Sequence, residues 1–213
     1  MCGKFTQMLR WRELCELADL QRLGGVIETV TPMRLASVIT LSEGGKRQVQ
    51  RMRWGLAPPG SRDPAKLKPH IHARAETIDE KPAFRDAFRF RRGLLAVTTF
   101  NEGREITPTK TEQHVLTPKD GAPVGIAVIW ERGTADNAGA LLSFAMVTVP
   151  ANPLIATITD RMPALIAADD WPLWLGEIPA SLATVKALLL PSDRDLDMQP
   201  ADKRKRSDQP DLF

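Results

Sequence analysis

The chain has 213 residues, of which 43% are hydrophobic and 26% are charged, and its formal net charge is +3. These values are typical of a globular protein and exclude a chain that is disordered throughout. No apolar run approaches the roughly eighteen residues of a transmembrane helix, so we expect no contact with a membrane. Arg10, Arg12 and Glu13 interrupt the segment where the apolar part of a signal peptide would lie. We therefore expect a cytoplasmic protein.

The two cysteines, Cys2 and Cys15, are too few for a disulfide framework or a zinc site. Cys15 lies on the apolar stripe of a predicted amphipathic helix that ends at Gly24, so we interpret it as a buried structural thiol. Cys2 has no such explanation. Removal of Met1 would leave Cys2 first, with a thiol and a free α-amine on adjacent carbons. The alternative is an accident of a frayed terminus.

The elements that follow this helix are mostly strands in the middle of the chain and helices near its end. Apolar and β-branched runs predict strands in RLASVIT, RQVQRMRW, RGLLAVTTF, VGIAVIWERG and LSFAMVTV. Short helices are predicted in KPAFRDAFR, WPLWLG and SLATVKALLL, and a loop between Gly60 and His72. This order predicts one α+β domain over residues 1–190. Residues 191–213 are polar and charged, and we predict a flexible tail.

Positive charge is concentrated in three places, at positions 46–53, 85–92 and 203–206. Nucleic-acid binding needs such clusters rather than a large total charge. The alternative for any single cluster is a solvated face or a strand edge. Metal binding is not expected, because neither His nor Cys occurs at ligand spacing with a third partner. His70 and His72 are the nearest approach, and we expect no organic cofactor.

Eight segments occur in a characteristic order: MCGKF, TVTPM, RWGLAPP, HARAET, KPAFRDAF, RRGLLAVTTFNEG, AVIWE and ANPLIATITDRMPALI. Together they resemble the SOS response-associated peptidase (SRAP) family, also called abasic-site processing proteins, from residue 2 to about residue 176. The resemblance implies an SRAP-like domain on a largely antiparallel, barrel-like sheet with flanking helices. It also implies a monomer that acts at the nucleoid in the DNA-damage (SOS) response.

The resemblance implies a covalent chemistry for Cys2. Members of the family bind single-stranded DNA and attach to the ring-opened aldehyde of a site that has lost its base. The amine forms an imine and the thiol closes a thiazolidine ring, while peptidase activity removes Met1. An α-amine has an ordinary pKa of about 7.7–8.0, so part of it is neutral and nucleophilic near neutral pH. The family's proton-shuttling Glu falls on Glu102, for which the alternative is a solvated loop acid.

Three departures from the family pattern concern the same pocket. His72 stands where the pattern N-A-R-A-E has Asn, and Thr159 replaces the catalytic His of I-H-x-R-M-P. The pattern G-F-Y-E-W has become TFNEG. A Thr hydroxyl forms hydrogen bonds but does not act as a base near pH 7, whereas imidazole does. We hypothesise that His72 takes over part of the lost acid–base role. The alternative is that His72 only fills the hydrogen-bonding role of the Asn.

The resemblance also implies which residues hold the DNA. Arg74 and Arg161 would contact the phosphates on either side of the lesion, and Lys4 stands where the family usually has Arg. A base could stack on Trp54, with a core tryptophan as the alternative. Further candidates are two cations and two apolar wedges: Arg53, Arg85, Pro32 and Met162. None of these contacts would distinguish one base sequence from another.

The last five residues, QPDLF, resemble the short peptide with which bacterial proteins bind the replication sliding clamp. Gln209, Leu212 and Phe213 fit this motif, and the basic residues 203–206 would lie near the DNA inside the clamp. Two apolar residues at the end of a polar tail require an explanation, although short motifs also recur by chance.

Two other functions remain open on the sequence. The protein could be a paralogue that binds single-stranded DNA without a covalent bond, since the His is missing and the Glu segment is altered. It could also be an N-terminal-nucleophile hydrolase acting on a small amide or peptide. A DNA adduct that resists denaturation separates the first alternative from cross-linking. The second would need an oxyanion hole and a defined substrate pocket.

Overall fold

Two layers of largely antiparallel strands carry most of the chain in a computed structural model. The structure describes residues 3–7, 28–57, 69–133 and 141–201. The predicted helix before Gly24 and the residues from 202 onward therefore lie outside the described part.

The described residues form thirteen strands: β1 (Lys4–Gln7), β2 (Glu28–Val30), β3 (Leu35–Leu41), β4 (Arg47–Trp54), β5 (His72–Arg74), β6 (Arg92–Val97), β7 (Thr99–Thr107), β8 (Lys110–Pro118), β9 (Val124–Arg132), β10 (Leu142–Pro150), β11 (Arg161–Pro163), β12 (Leu165–Ile166) and β13 (Leu196–Pro200). They also form three α-helices: α1 (Arg85–Phe90), α2 (Trp171–Leu175) and α3 (Leu182–Lys186). Three short 3₁₀ helices cover Ala75–Thr77, Ile155–Thr157 and Ala168–Asp170. None of the helices in the described ranges has the length and apolar character needed to cross a membrane.

Five strands close into a barrel. The ring runs β3–β4–β10–β9–β6 and returns to β3 through the pairing of Ile39 with Leu94. All of its pairings are antiparallel except that of β4 with β10. The turn between β3 and β4 is tight because Gly45 adopts φ 72°, a conformation that glycine takes without steric cost.

A second sheet of five strands, in the order β13–β8–β7–β1–β2, packs against the barrel. One hydrophobic core joins the two layers, and the rings of Phe5 on β1 and Trp54 on β4 lie 5.2 Å apart within it. The largest fully buried side chains of this core include Trp54, Trp174, Phe5, Phe88, Phe100 and Phe144.

Gln7 connects β1 to the barrel through its side-chain amide. Its Nε2 donates to the carbonyls of Ser37 and Ala96, at 3.0 and 3.2 Å. Its Oε1 accepts from the backbone N–H of Ser37 at 3.2 Å. One buried side chain thereby satisfies backbone groups on β3 and β6 that would otherwise lack partners in the core.

The predicted α+β class and barrel-like, largely antiparallel core are confirmed. The hairpin of β3 and β4, the central strands and the three short helices lie where the apolar patterns predict them. Two boundaries are wrong. His72 begins strand β5 instead of ending a loop, because it pairs with Met146 of β10. The predicted tail starts too early, because Leu196 is buried and β13 pairs with β8 along its whole length.

The hydrogen bonds of Gln7 generate a prediction about stability. We expect Gln7→Ala to lower the free energy of unfolding by about 2–4 kcal/mol, because it leaves buried backbone groups of Ser37 and Ala96 without partners. Gln7→Glu keeps the shape but points a carboxylate at two carbonyls, so it should be at least as harmful. The measurement is urea unfolding.

Thr6→Ala is the matched control on the same strand. The Thr6 hydroxyl contacts only an exposed partner, the hydroxyl of Thr29 at 3.3 Å, among the described side chains. We expect a change of about 0.5 kcal/mol or less. Equal effects of Gln7→Ala and Thr6→Ala would contradict the role assigned to the amide.

Candidate functional site

The pairing of β1 with β7 determines which residues lie beside Glu102. Lys4 faces Asn101 and Phe5 faces Phe100, so the same register continued by one residue brings Gly3 opposite Glu102. Glu102 is fully buried and lies on the face of the sheet that also carries Phe100. The alternative of a solvated loop acid is therefore wrong. Cys2, the residue before Gly3, lies outside the described residues.

A groove of about 800 Å³ begins at Gly3. It is bordered by Lys4, Thr31 and Asn101 at this end and by the hairpin of β7 and β8 at the other. Lys110 and Glu112 contribute charged side chains along the hairpin. A Cβ added to Gly3 would meet no atom of the described residues within 4 Å.

His114 on β8 lies directly opposite Glu102, and the sequence does not reveal this. Its Nδ1 is buried and has no hydrogen-bond partner among the described residues. An irregularity between Glu105 and Thr107 shifts the β7–β8 register by one residue. Counting back from the turn without this shift would place Val115, not His114, across from Glu102.

Trp54 connects this end of the second sheet to His72. The Trp54 ring is fully buried between Phe5 and Phe144, and its Nε1 donates to the carbonyl of Ile71 at 2.9 Å. The imidazole of His72 meets the ring edge-on at 6.1 Å. The predicted stacking of a base on Trp54 is wrong, because no face of the ring is open. The core alternative is correct.

Strands β5 and β11 flank the same strand of the barrel. His72 lies beside Met146 of β10, and Arg74 lies beside Thr148. On the other side of β10, Arg161 is paired with Pro150. The structure thus gathers His72, Arg74 and Arg161 around one strand. Thr159 is half-buried two residues before Arg161, and its N–H donates to the carbonyl of Ile155 at 3.0 Å.

The guanidinium of Arg161 is held by protein groups. It donates to both carboxylate oxygens of Glu76, at 2.5 and 2.9 Å, and to the carbonyl of Thr148 at 2.7 Å. Arg161 is 8% exposed, whereas Arg74 is exposed to solvent. Of the two predicted phosphate contacts, the structure presents only Arg74. The predicted wedge Met162 is wrong, because its side chain is fully buried.

Glu76 is the titratable partner in this network. Its pKa lies below the ordinary value of 4.5, chiefly because Arg161 donates hydrogen bonds to the carboxylate. Lys186 of α3 donates to the backbone carbonyl of Glu76 and to Asp79. The segment that follows Arg74 is therefore tied to β11 and to α3 by charged groups.

Several basic residues of the predicted clusters stabilise the fold. Arg47 pairs with Glu177 and Arg91 pairs with Glu131, both at 2.5 Å. Arg92 donates to backbone carbonyls at the end of α1 and of α2, and its burial lowers its pKa. These three cations are thus bound by groups of the protein itself.

The remaining predicted DNA contacts are distributed around the barrel. Arg85 is exposed on α1, 3.5 Å from Asp86, and Arg53 is half-buried on β4 opposite Leu35. Pro32 is half-buried in the turn that joins β2 to β3. Gln209, Leu212 and Phe213 lie outside the described residues. Within the described ranges, no group of three or more His, Cys, Asp or Glu side chains is arranged to hold a metal ion.

Comparison with known proteins identifies the family. The family model described as SOS response associated peptidase (SRAP) matches residues 1–205. The chain belongs to the SRAP family. The chain is 30% identical over 201 residues to the abasic site processing protein YoaM of Bacillus subtilis, covering 92% of this chain and 88% of YoaM. It is 26% identical to YobE of the same organism, also named an abasic site processing protein, covering 100% of this chain and 99% of YobE.

Solved structures support the SRAP fold. A crystal structure of a protein from Bacteroides thetaiotaomicron superposes with a TM-score of 0.81 at 22% identity, covering 95% of this chain and 93% of that chain. A second, from Bordetella bronchiseptica, has a TM-score of 0.79 at 23% identity, covering 94% and 100%. The SRAP fold is thus shared across sequences that have diverged widely.

The pKa of Glu76 generates a prediction about pH. A carboxyl with a lowered pKa stabilises the fold above its ordinary pKa, and this contribution is lost as the pH falls through the folded-state value. Glu76→Gln should therefore cost about 1 kcal/mol at pH 7, a modest value because the Glu76 side chain is 48% exposed.

The difference between wild type and Glu76→Gln should shrink as the pH falls from 5 toward 3. Urea unfolding at several pH values measures it. Glu80→Gln, at an exposed acid in the same segment, is the control and should change little. A stability difference that is constant from pH 7 to pH 3 would contradict the ionised pair.

Proposed function

We propose that this SRAP protein captures abasic sites in single-stranded DNA through a covalent bond to Cys2. The observation that supports the proposal is the β1–β7 register, which sets Gly3 opposite the buried Glu102. A peptide bond joins Cys2 to Gly3, and consecutive Cα atoms are about 3.8 Å apart. Cys2 is thus covalently joined to the residue that lies opposite one buried carboxyl. The names of YoaM and YobE support the same substrate.

The proposed chemistry starts after Met1 has been removed. The neutral α-amine of Cys2 adds to the aldehyde of the ring-opened sugar, and loss of one water gives an imine. The thiol sulfur then adds to the imine carbon, and its proton moves to the nitrogen. The product is a five-membered thiazolidine ring. No oxidant or reductant is required, and the balance is one water released.

Glu102 is proposed to move the protons of these steps. Opening of the sugar ring and loss of water from the carbinolamine both need a proton donor and an acceptor close to the amine. A carboxyl shielded from solvent interacts more strongly with such a group than an exposed one. Its complete burial in the sheet also fixes its position relative to Gly3.

His72 is proposed to supply part of the acid–base role that Thr159 lacks. The edge-on contact with Trp54 and the pairing of β5 with β10 hold the imidazole at one place on the barrel. The structure adds His114, opposite Glu102, as a second imidazole to compare. The alternative for His72 is hydrogen bonding alone, as an Asn would provide.

The DNA strand is proposed to be held by cations that contact phosphates rather than bases. Lys4 borders the groove next to Gly3, and Arg74 is exposed on β5 beyond His72. Arg53 and Arg85 complete the proposed cations, and Pro32 is proposed as an apolar wedge against a base. These groups carry no information about base sequence, so the preference would be for damage and for single strands.

A denaturing gel tests this function. Wild type, verified by mass to begin at Cys2, is mixed with single-stranded DNA that carries one abasic site. We expect a shifted band that survives denaturation in wild type and none with Cys2→Ala. Cys2→Ser keeps the amine but loses the thiol, so any adduct should be a reversible imine. Glu102→Gln should slow adduct formation by about 10²-fold or more.

His72→Asn extends the same measurement to pH. It should slow adduct formation and change its pH dependence, and His114→Asn is compared under the same conditions. If His72→Asn leaves the rate of adduct formation and its pH dependence unchanged, the proposed role of His72 is contradicted. Covalent capture by Cys2 is not affected by that result. No shifted band with wild type would contradict covalent capture and favour the non-covalent binder. Hydrolysis of small amides without DNA binding would favour the hydrolase.

We also propose that the last five residues bind the replication sliding clamp, on the motif of Gln209, Leu212 and Phe213. Deletion of residues 209–213 should abolish binding to purified clamp in a pull-down and leave DNA cross-linking unchanged. A deletion of residues 203–206 that keeps the motif serves as the control, and should retain most of the clamp binding. Equal clamp binding with and without residues 209–213 would contradict this proposal.

A further inference from the structure

Met33 has a backbone conformation that its residue type does not favour. Its φ is 72°, and it is the one non-glycine residue with positive φ in the described part of the chain. Glycine or asparagine would adopt this conformation more readily. Side chains held in such conformations are concentrated at functional sites, where the surrounding structure enforces them. The Met at this position therefore calls for an explanation.

The turn that carries Met33 is held firmly by backbone hydrogen bonds. The N–H of Arg34 donates to the carbonyl of Thr31 at 3.1 Å. Trp54 fixes the turn from the barrel, since its carbonyl accepts from Met33 at 2.8 Å and its N–H donates to Arg34 at 2.9 Å. The direction of the Met33 side chain is thus determined by the buried end of β4.

The turn lies between the groove and the segment that carries His72. Thr31 lines the groove that begins at Gly3. On the other side, the Met33 sulfur lies 3.0 Å and the Pro69 Cβ 3.1 Å from the point where a Cβ on Gly55 would stand. Gly55 permits this close approach because it has no side chain. Met33 therefore packs beside the segment that leads from Pro69 to His72.

The surroundings of Met33 combine apolar surface with positive charge. Met33 and Leu35 are each 45% exposed, although both are large apolar side chains. Arg34 between them is exposed, and Arg53 lies opposite Leu35 in the sheet. Apolar side chains that pack on base faces, surrounded by cations that contact phosphates, are typical of single-strand binding sites.

We propose that Met33 packs its thioether against the nucleobase that flanks the abasic site, with Leu35 extending the same apolar surface. This inference rests on the proposed function. A base next to a missing base has lost a stacking partner on one side. A thioether is flexible and polarisable, so it makes favourable contacts with aromatic faces and can fill that space. The predicted wedge Met162 is buried, and Met33 takes its place at the surface.

The test uses single-stranded DNA with a tetrahydrofuran analogue of the abasic site, which has no aldehyde and cannot be cross-linked. The neighbouring base is 2-aminopurine, whose fluorescence rises when it leaves the base stack. Wild type should bind this DNA more tightly than an intact strand and raise the fluorescence. Met33→Gly should weaken binding about tenfold and remove most of the fluorescence change. The Met33→Gly variant should keep the fold, because glycine adopts the positive φ of this turn without steric cost. Thermal unfolding of the variant measures this.

Two control variants make the comparison specific. Met33→Leu introduces another large apolar side chain that is not branched at Cβ. Its affinity for the analogue DNA should be within about threefold of the wild-type affinity. Ile178→Ala removes an exposed apolar side chain, 53% exposed, on a different part of the surface and should bind like wild type. Binding and fluorescence with Met33→Gly that equal those of wild type would overturn the inference.

The outcomes also separate this inference from the proposed function. If wild type does not prefer the abasic analogue to an intact strand and forms no adduct with aldehyde DNA, the proposed function fails and this inference fails with it. If wild type forms the adduct but Met33→Gly binds the analogue equally well, the proposed function stands and only the role of Met33 is overturned.

Discussion

The buried amide of Gln7 fixes the strand on which the proposed chemistry depends. It bonds to the backbone of β3 and β6, and so attaches β1 to the closed barrel. The pairing of β1 with β7 then sets Gly3 opposite Glu102. A chain terminus ordinarily moves freely, because few contacts restrain it. Here the residues that follow Cys2 are paired on both sides, by β2 and by β7. Cys2, the residue proposed to react, is therefore joined through Gly3 to a strand that is paired on both sides.

Trp54 contacts several of the segments that carry proposed site residues. Trp54 packs on Phe5, holds the carbonyl of Ile71 and contacts His72. Its backbone anchors the turn that carries Met33. Trp54 thus connects β1, β5 and the β2–β3 turn to one another. A tryptophan that stacked on DNA would have to leave this core.

Local patterns in the sequence predicted most of the elements, because apolar alternation reports which face of a strand is buried. Glu102 came from the family resemblance instead, although TFNEG departs from the pattern G-F-Y-E-W, and its catalytic role stays a prediction. The local patterns could not reveal His114 opposite Glu102, because one irregularity in β7 shifts the register. Nor could they separate Arg74 from Arg161, since the pairing of Arg161 with Glu76 joins residues 85 positions apart. The sequence does not reveal the left-handed conformation of Met33, because methionine, unlike glycine or asparagine, does not indicate it.

If both the amine and the thiol of Cys2 bond to the sugar, mass spectrometry of the digested adduct will show it. Cross-linked wild type is treated with iodoacetamide, and the peptide Cys2–Gly3–Lys4 is analysed after trypsin digestion. We expect a Cys2 peptide that carries the sugar fragment minus one water and that cannot be alkylated on sulfur. An open imine has the same mass but keeps a free thiol that alkylates. A sugar attached to a lysine, or an alkylated Cys2 in the adduct, would contradict a thiazolidine at Cys2.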